Sequence, residues 1–301
     1  MSKLIMLVGL PGSGKTTYAK NLIANDSSIV HYSSDAIREE LYGDANIQGD
    51  ANKVFRILHH RTKAALAEGK TVVYDATNVT RKNRKQLLNS IDKNVVKEAH
   101  VIWAPYEICI KRDSARTRSV GAAVISKFIH RWQSPFYDEG FDHVEVIFNL
   151  NDADEFNAEQ YRQKMITDMK ISHDNPHHTL DIYEHCVAAK NYIKINFDMP
   201  PFLSEAAFWH DIGKPLTKIF KVDAEGNKED IAHYYQHDCV GGYLVYGCYA
   251  DGPKYTLLSL ISWLVSNHMQ PFFDSNYYKG LEGTDGKELL DMLHTADLNA
   301  H

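Results

Sequence analysis

Residues 4–17 read Leu4-Ile5-Met6-Leu7-Val8-Gly9-Leu10-Pro11-Gly12-Ser13-Gly14-Lys15-Thr16-Thr17, and this stretch decides the fold of the first half of the chain. Five consecutive apolar residues predict a strand buried on both faces, as in a parallel sheet. The glycines after it let backbone N–H groups turn inward around a phosphate, and the helix that follows adds its positive N-terminal end. Gly9, Gly12, Ser13, Gly14, Lys15, Thr16 and Thr17 are therefore expected to hold ATP or another nucleoside triphosphate. Lys15 would reach the β- and γ-phosphates and the Thr16 hydroxyl would hold Mg²⁺.

Further apolar runs follow at 71–74, 99–104 and 143–149, separated by helical patterns at 50–68, 81–90 and 106–118. Strands alternating with helices predict an α/β domain, a parallel sheet with flanking helices, over residues 1–155. From a polar cluster at Asn151-Asp152-Ala153-Asp154 the pattern changes. Helical periods dominate at 180–196, 204–210, 233–249, 256–266 and 287–298, with no strong strand run. An all-α domain over 165–301 is expected, with the boundary near 152–170.

The composition is that of an ordinary soluble chain: 301 residues, 44% hydrophobic and 24% charged. No apolar stretch approaches the ~18 residues of a membrane span, and the N-terminus lacks the cleavage site of a signal peptide. The expectation is a cytoplasmic protein without a membrane partner. The four cysteines, Cys109, Cys186, Cys239 and Cys248, form no CxxC pair, which argues for free thiols over a zinc ribbon or a disulfide framework. The charge is uneven. Residues 1–150 carry 21 Lys and Arg against 16 Asp and Glu, whereas residues 151–301 carry 12 against 23 and hold 10 of the 16 histidines. A basic first half suits a phosphate-rich ligand, and an acidic, histidine-rich second half suits a cation.

Asp35 and Arg38 lie three apart and share a face of a helix start. A carboxylate there could take a proton from an incoming hydroxyl, and an arginine could clamp an anionic group of the same acceptor. The alternative is an N-cap acid beside an exposed arginine. Asp75 ends a buried strand, where it could act on the metal through water, position Asp35 and Thr16, or simply close a turn. Arg112, Arg116 and Arg118 follow the third strand. Arg112 and Arg116, at i and i+4, could converge on transferred phosphoryl charge, or the three could be a solvated basic face.

The order of the phosphate loop, Ser33-Ser34-Asp35-Ala36-Ile37-Arg38, Asp75-Ala76-Thr77-Asn78 and Lys111-Arg112-Asp113-Ser114-Ala115-Arg116 resembles the 5′-hydroxyl polynucleotide kinases of the bacteriophage type, over roughly residues 1–150. The resemblance implies that Asp35 is the general base, that Arg38 holds the acceptor's phosphate, and that Arg112 and Arg116 act on the donor phosphates. Related small-molecule kinases share parts of the pattern.

In the second half, His185, the adjacent pair His210-Asp211, His237, His268 and Asp297 sit in or at the ends of helical patterns. Imidazole and carboxylate suit a transition metal or Mg²⁺/Mn²⁺, and helices in a bundle can aim such ligands inward. The sequence His210-Asp211-Ile212-Gly213-Lys214-Pro215, with Gln236-His237-Asp238, Asn267-His268-Met269 and Ala296-Asp297, resembles the HD phosphohydrolase superfamily over roughly 172–301. The resemblance implies one metal on His185, His210, Asp211 and Asp297. It implies a second metal on His237 and His268 in binuclear members, and Lys214 near phosphate. The ion would be Mn²⁺, Ni²⁺, Co²⁺, Fe²⁺ or Zn²⁺, and Asp211 would also orient the nucleophile. His177, His178, His233 and His294 match no ligand position.

A 5′-kinase joined to a phosphoesterase resembles the bifunctional HD/polynucleotide kinase end-healing enzymes. These restore 5′-phosphate and 3′-OH ends from 5′-OH and 2′,3′-cyclic or 3′-phosphate ends, for a separate RNA ligase to join. In those fusions the HD module comes first; here it is second. Two other readings stay open: a small-molecule or nucleoside kinase fused to an HD nucleotidase, and an HD regulator gated by nucleotide.

Overall fold

The computed structural model describes residues 2–47, 49–175, 179–223, 225–252 and 257–300. The chain divides into two compact units. The first comprises Met1–Phe128 and Pro135–Asp154, and the second comprises Ile129–Ser134 and Glu155–His301.

The first unit is built on β1 (Lys3–Val8), α1 (Lys15–Asn25), β2 (Val30–Ser33), α2 (Ser34–Tyr42), α3 (Ala51–Ala67), β3 (Thr71–Asp75), α4 (Arg81–Leu88), β4 (Val96–Trp103), α5 (Tyr106–Ser114), α6 (Ala122–Ile129) and β5 (His143–Phe148). The five strands form one sheet in the order β2-β3-β1-β4-β5, every pairing parallel. β1 lies at the centre because its apolar run can be buried on both faces, and Leu4, Met6, Leu7 and Val8 are fully buried. Ser33 and Asp75, the last residues of β2 and β3, stand side by side in register, so both loops open at the carboxyl edge of the sheet. Ligands of open α/β sheets bind at that edge.

The helix expected over 106–118 stops at Ser114. Asp113 accepts hydrogen bonds from the Ser119 hydroxyl and the Val120 and Gly121 amides, which folds the chain back on the helix end. Arg116 and Arg118 therefore leave the helix that was to carry them.

The second unit contains α7 (Ala158–Met169), α8 (Ile182–Asn196), α9 (Pro201–Trp209), α10 (Lys214–Thr217), β6 (Lys218–Val222), β7 (Lys228–Tyr234), α11 (His237–Leu244), α12 (Leu258–Asn267), α13 (Asn276–Lys279) and α14 (Asp285–Leu298). α8 packs on α9 and α14, and α11 packs on α12. Asp181 caps α8 in a reciprocal box with Glu184, fixing the helix that carries His185. The segment Ile129–Ser134 joins this unit through Trp132, which packs edge-on against Tyr243 and Tyr246. Ser134 Oγ bonds both Ser262 and Ser266.

The all-α expectation needs correction. β6 and β7 form an antiparallel hairpin, and residues 233 and 234 end a strand rather than begin a helix. Asp223 Oδ1 accepts from the Glu225 and Asn227 amides, and Gly226 takes the left-handed conformation that closes the turn. The strands are largely exposed and mixed in polarity, which hid their period of two.

Candidate functional sites

In the first unit the loop between β1 and α1 is fixed by local sterics. Gly12 has φ +84, and a Cβ there would strike the Cys109 carbonyl oxygen. Lys15, buried at the start of α1, folds back and donates from Nζ to the carbonyl oxygens of Gly9 at 2.9 Å and Leu10 at 2.8 Å. Burial lowers its pKa, partly offset by the Asp75 carboxylate. Thr16 Oγ1 donates to Asp75 Oδ2 at 2.9 Å, and His31 Nε2 lies 3.2 Å from the same oxygen. Asp75 thus ties the first turn of α1 to the ends of β2 and β3. Thr17 is exposed on that turn. The sequence reading passed over His31, although its strand adjoins β3.

Ser33, not Asp35, caps α2, accepting from the Ala36 amide. Asp35 is left free to face outward, its side chain 55% exposed, between two guanidinium groups. Arg38 Nη1 lies 2.9 Å from Oδ1, and Arg118 Nη1 lies 3.0 Å from Oδ2. Arg118 also donates to Asn46 Oδ1 and the Ala45 carbonyl, so it pins the loop after α2 as well as Asp35. The convergence expected of Arg112 and Arg116 on one helix face is not formed. Arg112 is held by the Asn149 carbonyl and by Asp154 Oδ2 at 2.6 Å. Arg116 is exposed beyond the helix end, close enough that its charge lowers the Lys15 pKa.

In the second unit six side chains named from the sequence come together. His185 projects from α8, His210 and Asp211 follow α9, His237 begins α11, His268 follows α12, and Asp297 lies on α14. All but Asp297 are nearly fully buried. Gly213 allows this approach, since a Cβ there would strike the His237 carbonyl oxygen.

Each imidazole is oriented from behind. The Nδ1 atoms of His185, His210, His237 and His268 lie 2.7–2.9 Å from the carbonyl oxygens of Ala300, Ala207, Tyr234 and Val265. A carbonyl only accepts, so each Nδ1 carries a proton and donates, which leaves Nε2 with its lone pair. Those Nε2 atoms meet in two groups. His185 and His210 face each other at 3.2 Å, with Asp297 Oδ1 2.9 Å from His185. His237 and His268 face each other at 3.1 Å. Asp211 lies between the groups, Oδ2 3.3 Å from His210 and Oδ1 3.2 Å from His237. Lone pairs and carboxylate oxygens at such distances repel unless positive charge lies among them. The donor set therefore fits one or two divalent cations, the two Asp211 oxygens each facing a different group.

The charges bear on one another strongly. Burial holds the Asp211 carboxyl up, but Lys214, whose Nζ lies 2.6 Å away, and His210 outweigh it and bring it well below the usual range. Burial likewise opposes a charge on His210, yet Asp211 and Asp297 raise its pKa well above the ordinary value, so without a cation Nε2 of His210 takes up the proton that a bound cation would displace. His268 goes the other way, pushed down to about 3 by burial and by His237 and His210.

His173 was missed in the sequence. It is buried, its Nδ1 lies 3.0 Å from the Leu180 carbonyl, and its Nε2 lies 3.9 Å from Asp211 Oδ2. It carries no motif spacing, so only the fold could reveal it. His233 stacks on Tyr235, and His294 packs against Phe272. His177 and His178 lie outside the described residues. A cavity of about 440 Å³ opens onto the cluster, walled by Lys214, Tyr234, Tyr235, Met269 and Phe272. None of the four cysteines is in a disulfide. No helix among the described residues is long and apolar enough to cross a membrane.

A transcription factor bHLH140 of Arabidopsis thaliana is 28% identical over 169 residues, 54% of this chain and 17% of that protein. An adenylate kinase of Campylobacter fetus subsp. fetus is 50% identical over 42 residues, 14% of this chain and 22% of that protein. The chain therefore spans less than a quarter of the length of these relatives. A chain of the Pnkp1/Rnl/Hen1 RNA repair complex superposes with TM-score 0.40 at 24% identity, covering 43% of each chain. The profile of the family described as AAA domain matches residues 4–135. With the five-stranded parallel sheet and the glycine loop, that match fits a P-loop fold for the first unit.

Proposed function

We propose that the chain heals nucleic-acid ends, phosphorylating 5′-OH termini with ATP in its first unit and hydrolysing 2′,3′-cyclic or 3′-phosphate ends in its second. The observation that carries the reading is that one polypeptide holds two phosphate-handling constellations: a glycine loop beside an arginine-flanked Asp35, and four imidazoles turned lone-pair-inward around Asp211.

In the kinase half, Lys15 leaves the Gly9 and Leu10 carbonyls for the β- and γ-phosphates. Thr16, oriented by Asp75, would hold Mg²⁺. Asp35 accepts the proton of the attacking hydroxyl once the acceptor draws Arg38 onto its phosphate. Arg118 steadies Asp35, and Arg116, exposed and near enough to bear on Lys15, balances phosphoryl charge. Arg112 serves by holding the Asn149 and Asp154 loop in place.

In the second half, His185, His210, Asp211 and Asp297 would hold one cation, and Asp211, His237 and His268 a second. A cation so held lowers the pKa of bound water from about 15.7 toward about 7 and polarises a phosphoryl oxygen. Asp211 orients the attacking oxygen, and Lys214 at the cavity wall meets the anionic ester. The backbone carbonyls behind the rings keep every Nε2 aimed inward.

The test is end mapping. An RNA with a 5′-OH and a 2′,3′-cyclic phosphate is incubated with radiolabelled ATP, Mg²⁺ and Mn²⁺. The expected product carries the label at its 5′ end and a free 3′ end. An RNA unchanged at both ends, with free nucleosides phosphorylated instead, would favour the small-molecule reading.

A further inference from the structure

Between α3 and α4 lies a cleft of about 640 Å³ that the phosphate loop does not use. Phe55, Arg56, His60, Lys63, Asn83 and Gln86 are among its lining residues. The two helices are unusual in charge. α3 carries Lys53, Arg56, Arg61 and Lys63, α4 carries Arg81, Lys82, Arg84 and Lys85, and neither contains an Asp or Glu. Part of that charge is already answered: Arg61 pairs with Glu40, Arg81 with Asp138 and Arg84 with Glu139. Arg56 and Lys63 are exposed on the cleft, and neither has an ion pair among the described residues.

The place of the cleft follows from the topology. α3 returns the chain to the start of β3, so its N-terminal end lies at the carboxyl edge of the sheet. α4 begins six residues after Asp75 and runs away from that edge. The Arg56 and Asn83 end therefore opens on the same edge as Asp35 and Asp75, and Lys63 lies further along. We infer that this cleft is the track for the single-stranded nucleic acid that trails from the 5′-OH terminus, Arg56 and Lys63 meeting successive phosphates. Phe55 offers a ring face to an unpaired base, while Asn83 and Gln86 supply amides that can donate or accept at base edges. The inference rests on the reading of the first unit as a polynucleotide kinase, and it adds that affinity should grow with acceptor length.

The test is fluorescence anisotropy of a 3′-labelled, 20-nucleotide single-stranded RNA titrated with the full chain between 50 and 200 mM salt. Two lost phosphate contacts on a single strand reduce the slope of log affinity against log salt by about 1.4. R56E/K63E is expected to show that reduction and to bind about tenfold more weakly at the low-salt end. K20E/K194E, which changes net charge equally on exposed lysines elsewhere, should keep the wild-type slope. R56Q/K63Q provides the same reading without charge reversal should the first pair unfold. A wild-type slope in both cleft variants, an equal loss in K20E/K194E, or no RNA binding by the wild-type chain would overturn the track. RNA that binds through the cleft but is never phosphorylated would instead count against the kinase reading, and phosphorylation indifferent to R56E/K63E would count against the cleft alone.

Discussion

The Nε2 atoms of His237 and His268 face each other at 3.1 Å while both Nδ1 atoms are committed to backbone carbonyls. Neither ring can donate to the other in that arrangement, so the pair is set for a positive charge shared between them. His185 and His210 also face each other through Nε2, at 3.2 Å, with Asp211 Oδ2 3.3 Å from His210.

Cation binding should therefore be measurable as stability. Occupancy at a hundred times the dissociation constant adds about 2.7 kcal/mol. For a domain of this size that corresponds to a rise in melting temperature of roughly 5–10 °C on adding Mn²⁺ or Ni²⁺. Chelation should reverse it, and H185A should bind less metal per chain by elemental analysis. A melting curve indifferent to both metal and chelator would count against the cluster as a cation site.

Asp35 is exposed and, among the described residues, its side chain is held by Arg38 and Arg118. D35N keeps its shape but cannot take a proton. It should lower the rate of 5′-phosphorylation by about 10²–10⁴-fold while leaving ATP affinity unchanged. R118A should lower kcat more than it raises the acceptor KM, since Arg118 positions the base Asp35 rather than meeting the acceptor or the donor. A near-wild-type rate in D35N would remove the general-base assignment.

Arg84 is one of 12 Lys and Arg within residues 81–131, yet its side chain is fully buried, bound to Glu139 at 2.5 Å and to the Asn78 carbonyl at 2.9 Å. R84A strands the Glu139 carboxylate and should cost about 3–5 kcal/mol of stability, whereas R84M/E139L should recover most of it. Urea unfolding followed by near-ultraviolet circular dichroism measures both. An R84A curve superposing on the wild type would show that the pair is not holding α4 in place.

Arg84 also shows where the sequence stops being readable. A run of cations looks alike whether it faces solvent or closes a core, and only the partner at residue 139, fifty-five positions away, decides. The β1–loop–α1 unit was legible because its strand, its glycines and its lysine are contiguous and each has a local steric or electrostatic cause. The His and Asp positions of the second unit were legible through a family resemblance, not through spacing, and their convergence depends on the packing of five helices that no local pattern encodes. Helical period failed at 106–118 because Asp113 captures the Val120 and Gly121 amides. It failed at 233–234 because the Asp223–Asn227 turn closes a hairpin whose strands are mostly exposed. His173 and the Ile129–Ser134 segment left no trace in composition or period.

The central claim is that two chemistries on phosphorus reside in separable sites, and paired substitution tests it most directly. K15A and D211A are assayed side by side for 5′-phosphorylation and for release of the 2′,3′-cyclic phosphate from the same RNA. The account predicts that K15A loses the first reaction and keeps the second, and that D211A does the opposite. Loss of both reactions in either variant, with folding intact by calorimetry, would contradict it.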